Sequence, residues 1–196
     1  MPMSVLESGE DRERLIAILK RDALKVGQFT LASGRTSHYY IDGRRVTLGA
    51  EGALLIAEGV LDVLAEHPDV QAIGGLTMGA DPIVGAALAR APLRRRGDLR
   101  GFLVRKEAKG HGTGKLIEGP LEPGSVVAIV DDVATTGGSS LQAVAAVRAM
   151  GSTVKLVIVV LDRLEGAAVA FAKEGLAFRS LLTIRDLGVE PLASEG

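Results

Sequence analysis

Apolar and polar positions along the chain change period several times, and each change marks an element. Leu15, Ile16, Ile18, Leu19 and Leu24 recur at helical spacing, which predicts a helix over 10–26 closed by Gly27. Short extended segments at 28–32 and 38–42 follow, joined by Ser33-Gly34-Arg35-Thr36, a combination suited to a hairpin turn. From Ala50 onward the patterns alternate: helix 50–66, strand 70–74, helix 82–90, strands 101–104 and 125–130, helix 139–150, strand 153–161 and helix 166–174. The strands read as unbroken apolar runs, so both their faces are expected to be covered. That predicts an α/β fold, a central mostly parallel sheet flanked by helices. Ligands of such sheets bind beyond the carboxyl ends of strands, and three of these ends carry unusual residues, at 75–81, 105–114 and 131–139.

Composition narrows the picture. At 196 residues and 47% hydrophobic, the chain suits one domain, with 1–45 a helix plus a small segment and 46–196 a core with a C-terminal tail. The 23 basic and 24 acidic side chains nearly cancel, so no nucleic-acid or membrane partner is expected and any electrostatic function must be local. Cysteine is absent, which excludes disulfides and thiolate metal sites. Residues 1–14 carry acids, and nowhere do about 18 apolar residues run together, so a soluble cytoplasmic protein is expected.

The most informative stretch is Val126-Val127-Ala128-Ile129-Val130-Asp131-Asp132-Val133-Ala134-Thr135-Thr136-Gly137-Gly138-Ser139-Ser140. An apolar run stops at two acids, a small polar turn follows, and a helical pattern begins. Small residues there let several backbone N–H groups converge at a helix N-terminus, where the dipole also favours an anion. Asp131 and Asp132 would repel a phosphate, so their fitting task is to accept hydrogen bonds from neighbouring hydroxyls. One site would then hold a sugar and its phosphate; the plainer alternative is a capped strand-to-helix connection.

Residues 105–115 concentrate positive charge and three glycines without an apolar face. Such a loop is either solvated surface or a mobile cover for a diphosphate, with His111 donating to the departing group. Gly114-Lys115 imitates a nucleotide-triphosphate loop, but Lys109 stands where its first glycine belongs and Leu116 replaces its Ser or Thr. At 74–82, glycines permit close backbone approach to a diphosphate, while a helix start capped by Asp81 explains only Asp81 and Pro82. Arg163, after a strand end, suits either a planar carboxylate or a surface salt bridge. His38 and His67 have no partner pattern.

The 126–140 run resembles the phosphoribosyl-diphosphate (PRPP) signature of the type I phosphoribosyltransferases. That resemblance implies that Asp131 and Asp132 contact the ribose 2- and 3-hydroxyls, and that Val133, Ala134, Thr135, Thr136, Gly137, Gly138 and Ser139 border the 5-phosphate. Phe-Leu-Val-Arg-Lys-Glu-Ala-Lys-Gly-His-Gly at 102–112 looks like the catalytic loop of the orotate phosphoribosyltransferases, and 27–44 looks like their N-terminal hood. The resemblance implies PRPP and diphosphate contacts from Arg105, Lys106, Lys109 and His111, taken as catalytic, and a diphosphate loop at Thr77, Met78 and Gly79 with a strained or cis peptide. It implies orotate contacts from Arg163 and Thr135, and Tyr39, Tyr40 and Ile41 are candidates beside them, the two tyrosines having packing of the hood as their alternative. It further implies Mg²⁺ carried by PRPP with no direct protein ligand, and a homodimer whose active site is shared across the interface. The chain departs from some bacterial relatives in having Gly79 and Ala32 where they carry lysines; Lys25, Arg44 and Arg45 are candidate replacements. The activity implied is transfer of the phosphoribosyl group to orotate, with a purine phosphoribosyltransferase or a PRPP-sensing regulator as alternatives.

Overall fold

A computed structural model describes residues 9–30, 36–107 and 115–192. Helix α1 (Gly9–Ile18) opens the chain and a π-type turn (Leu19–Ala23) leads into strand β1 (Leu24–Thr30), which pairs with antiparallel β2 (Thr36–Ile41) as a separate two-stranded sheet. Leu15, Ile18 and Leu19 are buried, as their spacing requires. The helix does not reach Val26: Leu24, Lys25 and Val26 are paired with Ile41, Tyr40 and Tyr39, and strand pairing outweighs the local helical pattern there. The turn expected at 33–36 lies almost wholly outside the described residues.

After a short α2 (Arg44–Thr47) come α3 (Ala50–Ala65), β3 (Ala72–Leu76), α4 (Asp81–Arg90), β4 (Arg100–Val104) and the two-residue β5 (Ile117–Glu118). Then follow β6 (Val126–Ala134), α5 (Gly138–Ala149), β7 (Thr153–Asp162), α6 (Ala167–Lys173) and β8 (Ala177–Thr183). They form a six-stranded sheet in the order β5-β4-β3-β6-β7-β8, parallel except for β5 against β4.

Side-chain alternation divides the core by face. Ala128, Val130, Leu156, Ile158 and Val160 meet Leu55, Ile56, Val60, Ile83 and Ala87 of α3 and α4. Val127, Ile129, Val157 and Val159 meet Ala143, Val144, Val147 and Phe171 of α5 and α6. This double coverage is why the central strands carry no polar alternation. Between α3 and α4, Glu58 accepts from Arg90 and Arg94, and Arg94 also reaches Asp62 at 2.5 Å.

Two differences from the sequence expectation bear on function. The apolar run does not stop at the acids: β6 continues through Asp131 to Ala134, because Asp131, Val133 and Ala134 stay paired with Val159, Leu161 and Asp162. The carboxylates therefore project from a strand rather than from a loop. The C-terminal tail also contains β8, an edge strand whose mixed exposure and central Arg179 hid it from a search for apolar runs.

The sheet relies on close backbone approach at Gly74, where a β-carbon would lie 2.5 Å from the Phe102 ring and closer still to the Phe102 carbonyl oxygen. Gly74→Ala is expected to cost roughly 1–3 kcal/mol through overpacking, read from urea denaturation. An unchanged midpoint would show that β3 and β4 can separate freely.

Candidate active site

The carboxyl ends of β3 and β6 open into one cleft of about 470 Å³ lined by Leu76, Thr77, Met78, Gly79, Asp131, Asp132, Val133, Ser139, Arg44 and Lys106. A smaller hollow of about 180 Å³ adjoins it, lined by Asp131, Val133, Ala134, Thr135, Thr136, Gly137, Gly138, Ser139 and Ser140. The two hollows share Asp131, Val133 and Ser139. The strand end, the turn and the diphosphate-like loop thus meet at one place.

The smaller hollow follows from helix geometry. Gly137 adopts φ 84°, a left-handed conformation natural to glycine, and α5 begins at Gly138. The first helical N–H groups have no intrahelical acceptor, and the dipole's positive end lies with them. A β-carbon on Gly137 would also fall 2.9 Å from the Phe171 ring, so this turn is pressed against α6.

Asp131 is the chemically unusual group. Only 6% exposed, it accepts from the Ser140 hydroxyl at 3.0 Å and from the Asp132 N–H at 3.0 Å. Burial, and then the adjacent Asp132 charge, push its carboxyl up to about 7. Burial raises Asp132 as well, opposed by hydrogen bonding from the Val133 N–H and by the charge of Arg44. Gly79 closes over the pair: a β-carbon there would fall 2.5 Å from Asp131 Oδ1 and 2.9 Å from Asp132 Oδ1. Gly43 presses from the other side, its β-carbon position 2.9 Å from Asp132 Oδ2. A lysine at position 79 would need the carboxylates to move. The cleft carries Arg44 instead, its Nε donating to Asp42 at 3.1 Å.

The expected residues are distributed unevenly. Thr77, Met78 and Gly79 line the large cleft, and the Thr77–Met78 peptide is cis. Lys106 lines it too, whereas Arg105 Nε donates to Glu118 at 3.1 Å. Lys109 and His111 lie outside the described residues, as does Ala32. Lys25 is paired with Tyr40 in the hairpin, and Arg45 lines a separate hollow with Arg21 and Asp22. Arg163 follows β7, its N–H donating to the Ala134 carbonyl at 2.9 Å, which places it next to Thr135.

Ile41 joins the core and Tyr40 is 38% exposed with its ring 5.9 Å from Phe29; neither lines the cleft. The hairpin residue that reaches Arg163 is Tyr39, whose hydroxyl burial raises above the ordinary tyrosine value. Strand alternation was the available signal, since it sets Ser37, Tyr39 and Ile41 on the inward face and Tyr40 opposite. Ser140 and Glu165 had no such signal, because their partners are set by tertiary placement.

No family model matches the chain. It is 49% identical to the orotate phosphoribosyltransferase of Rhodopirellula baltica over 194 residues, 96% of this chain and 100% of that protein. The crystal structure of Mycobacterium tuberculosis H37Rv orotate phosphoribosyltransferase in complex with Fe(III) dicitrate superposes with a TM-score of 0.81 at 43% identity, covering 91% of this chain and 99% of that one. The same enzyme in complex with PRPP gives 0.77 at 41% identity, with 91% and 99% covered.

The raised Asp131 carboxyl makes a directional expectation. The folded form holds this proton above the ordinary value of 3.8, so stability should fall as pH rises from about 4 to about 7 and then level. Asp131→Asn should remove that slope and exceed the wild type by roughly 1–3 kcal/mol at pH 8, the gap closing toward pH 4. Urea denaturation across this range checks it, and a gap that widens toward acid would contradict it.

Proposed function

The chain belongs to the orotate phosphoribosyltransferase family, and from that premise we propose that it transfers the 5-phosphoribosyl group of PRPP to orotate, giving orotidine 5-monophosphate and diphosphate on the way to UMP. One observation carries the reading: an adjacent carboxylate pair, Asp131 buried and Asp132 half-buried, and a helix-start hollow open into the same cleft as the 77–79 backbone and Lys106. A sugar phosphate needs two environments a few ångströms apart, acceptors for its hydroxyls and donors for its phosphate. Asp131 and Asp132 supply the first, and the 134–139 turn supplies the second.

The reaction breaks the bond between ribose C1 and the diphosphate oxygen, which keeps the electron pair, while the orotate ring nitrogen gives up its proton and bonds to C1, the proton passing to the departing diphosphate or to solvent. Positive charge gathers on the ribose and negative charge on the leaving group. The protein's work is therefore placement of charge, with no covalent nucleophile. Thr77, Met78 and Gly79 approach the diphosphate through backbone, and Lys106 with Lys109, His111 and Arg105 meets its growing charge. Arg44 adds a cation at the lip of the cleft. Arg163 and Thr135 hold the base so that its nitrogen faces C1.

Mg²⁺ fits this cleft as an ion brought by the substrate. Among the described residues no three acidic, histidine or cysteine side chains gather to cage a metal, and the adjacent acids are already tied to Ser140 and to backbone N–H groups. Mg²⁺ keeps waters readily, so the diphosphate and ribose oxygens can hold it with Asp131 and Asp132 nearby. Bound there, it would neutralise charge on the departing diphosphate. The reading extends to a homodimer in which the 105–115 loop acts partly across the interface, and to a cytoplasmic location. Among the described residues, no helix is long and apolar enough to cross a membrane.

The direct test is PRPP consumption with orotate, adenine, guanine, xanthine and uracil, run on the wild type and on Lys109→Ala. Orotate alone should support rapid turnover. Lys109→Ala should lower kcat by about 100-fold or more with orotate KM little changed, since its contact belongs to the leaving group. Transfer to a purine, or equal losses in kcat and affinity, would overturn the assignment.

A further inference from the structure

Arg163 is a permanent cation held almost out of water, 7% exposed, and a guanidinium so placed needs partners. They come from two separate parts of the chain. Its Nε donates to the Tyr39 hydroxyl at 3.2 Å, and that hydroxyl donates to Glu165 Oε1 at 3.0 Å. Nη2 stands 2.8 Å from the same Glu165 oxygen, yet it is buried and out of line for a hydrogen bond. The guanidinium carbon lies 4.8 Å from the Tyr39 ring centroid, within cation–π range. Tyr39 belongs to the hairpin sheet and is fully buried, so the contact joins that sheet to the end of β7.

These contacts use one side of the guanidinium plane. Nε and the buried Nη2 face Tyr39 and Glu165, while Nη1 lies on the second edge of the planar fork and is the N–H group left to meet an acceptor oxygen. We propose that Tyr39 and Glu165 are positioning residues that fix the plane of Arg163 so that this second edge receives the carboxylate of the base. The inference rests on Arg163 being the base-carboxylate partner. Glu165 stands at the Nε–Nη2 edge, with its Oε1 also held by the Tyr39 hydroxyl, and so does not occupy Nη1. Losing either partner frees the guanidinium to rotate toward water and costs orientation rather than chemistry.

Orotate and uracil differ by the carboxylate, which makes them the discriminating pair. Orotate KM, kcat, PRPP KM and the inhibition constant of uracil against orotate are measured for wild type, Tyr39→Phe, Glu165→Gln and Arg163→Ala, each with a melting curve. Tyr39→Phe and Glu165→Gln should each raise orotate KM about 5- to 30-fold, leaving kcat, PRPP KM and uracil inhibition within about twofold. A lower orotate KM in Glu165→Gln would mean that Glu165 competes with substrate and would overturn the proposal. Unchanged KM with a lowered melting point, or parallel losses for orotate and uracil, would reduce the contact to a structural tie and also overturn it. If Arg163→Ala leaves the orotate-to-uracil ratio intact, the base-site reading of Arg163 itself fails. If it collapses that ratio while the other two variants do not, only the positioning inference fails. Should Glu165→Gln not fold, Tyr39→Phe, which removes one oxygen, decides the matter.

Discussion

Two adjacent carboxylates withdrawn from water oppose each other, and the cleft is organised around that opposition. Asp131 and Asp132 stay together because β6 remains paired beyond its apolar run, and because Ser140 and two backbone N–H groups donate to them. Gly79 and Gly43 close over the pair without a side chain to push it aside. Burial and mutual repulsion leave Asp131 holding a proton near neutrality, so the pair is short of hydrogen-bond donors and cationic company. The ribose diol of the proposed substrate, with positive charge around it, would supply both.

The parallel sheet makes this possible by bringing several strand ends to one edge. β3 delivers the 77–79 backbone, β4 leads to Lys106, and β6 carries the acids with the turn into α5. Beside them the end of β7 leads to Arg163, whose N–H is bonded to Ala134. The apolar faces behind these ends are covered by α3 and α4 on one side and by α5 and α6 on the other, so the rim stands on a packed core. The hairpin sheet reaches the same edge through Tyr39, so a segment outside the main sheet takes part in holding Arg163.

What could be read from the residues in order, and what could not, has a physical pattern. Strands buried on both faces announce themselves as apolar runs, and the 134–139 turn announces itself by its small polar residues, so the sheet's centre and the strand-to-helix turn that forms the smaller hollow were legible. The edge strand β8 was not, because one side of an edge may be polar without loss, and the first residues of β1, 24–26, read as the end of a helix because they pair with Tyr39, Tyr40 and Ile41, far along the chain, whereas 28–30 fall in a segment read as extended. Side-chain networks were the least legible. Nothing local links Ser140 to Asp131 or Glu165 to Tyr39, and among Lys25, Arg44 and Arg45 only the fold brings Arg44 to the cleft. Alternation along β2 did carry a usable signal, favouring Tyr39 over Tyr40 as the residue turned toward Arg163.

If the buried acidic pair receives the ribose hydroxyls, PRPP binding must drive Asp131 to its ionised form. Calorimetry of PRPP binding near pH 7 in buffers of different ionisation enthalpy measures the protons exchanged. The wild type should release roughly half a proton more than Asp131→Asn, which has no carboxyl there to ionise. Equal proton release by the two proteins, or net uptake specific to the wild type, would contradict the account.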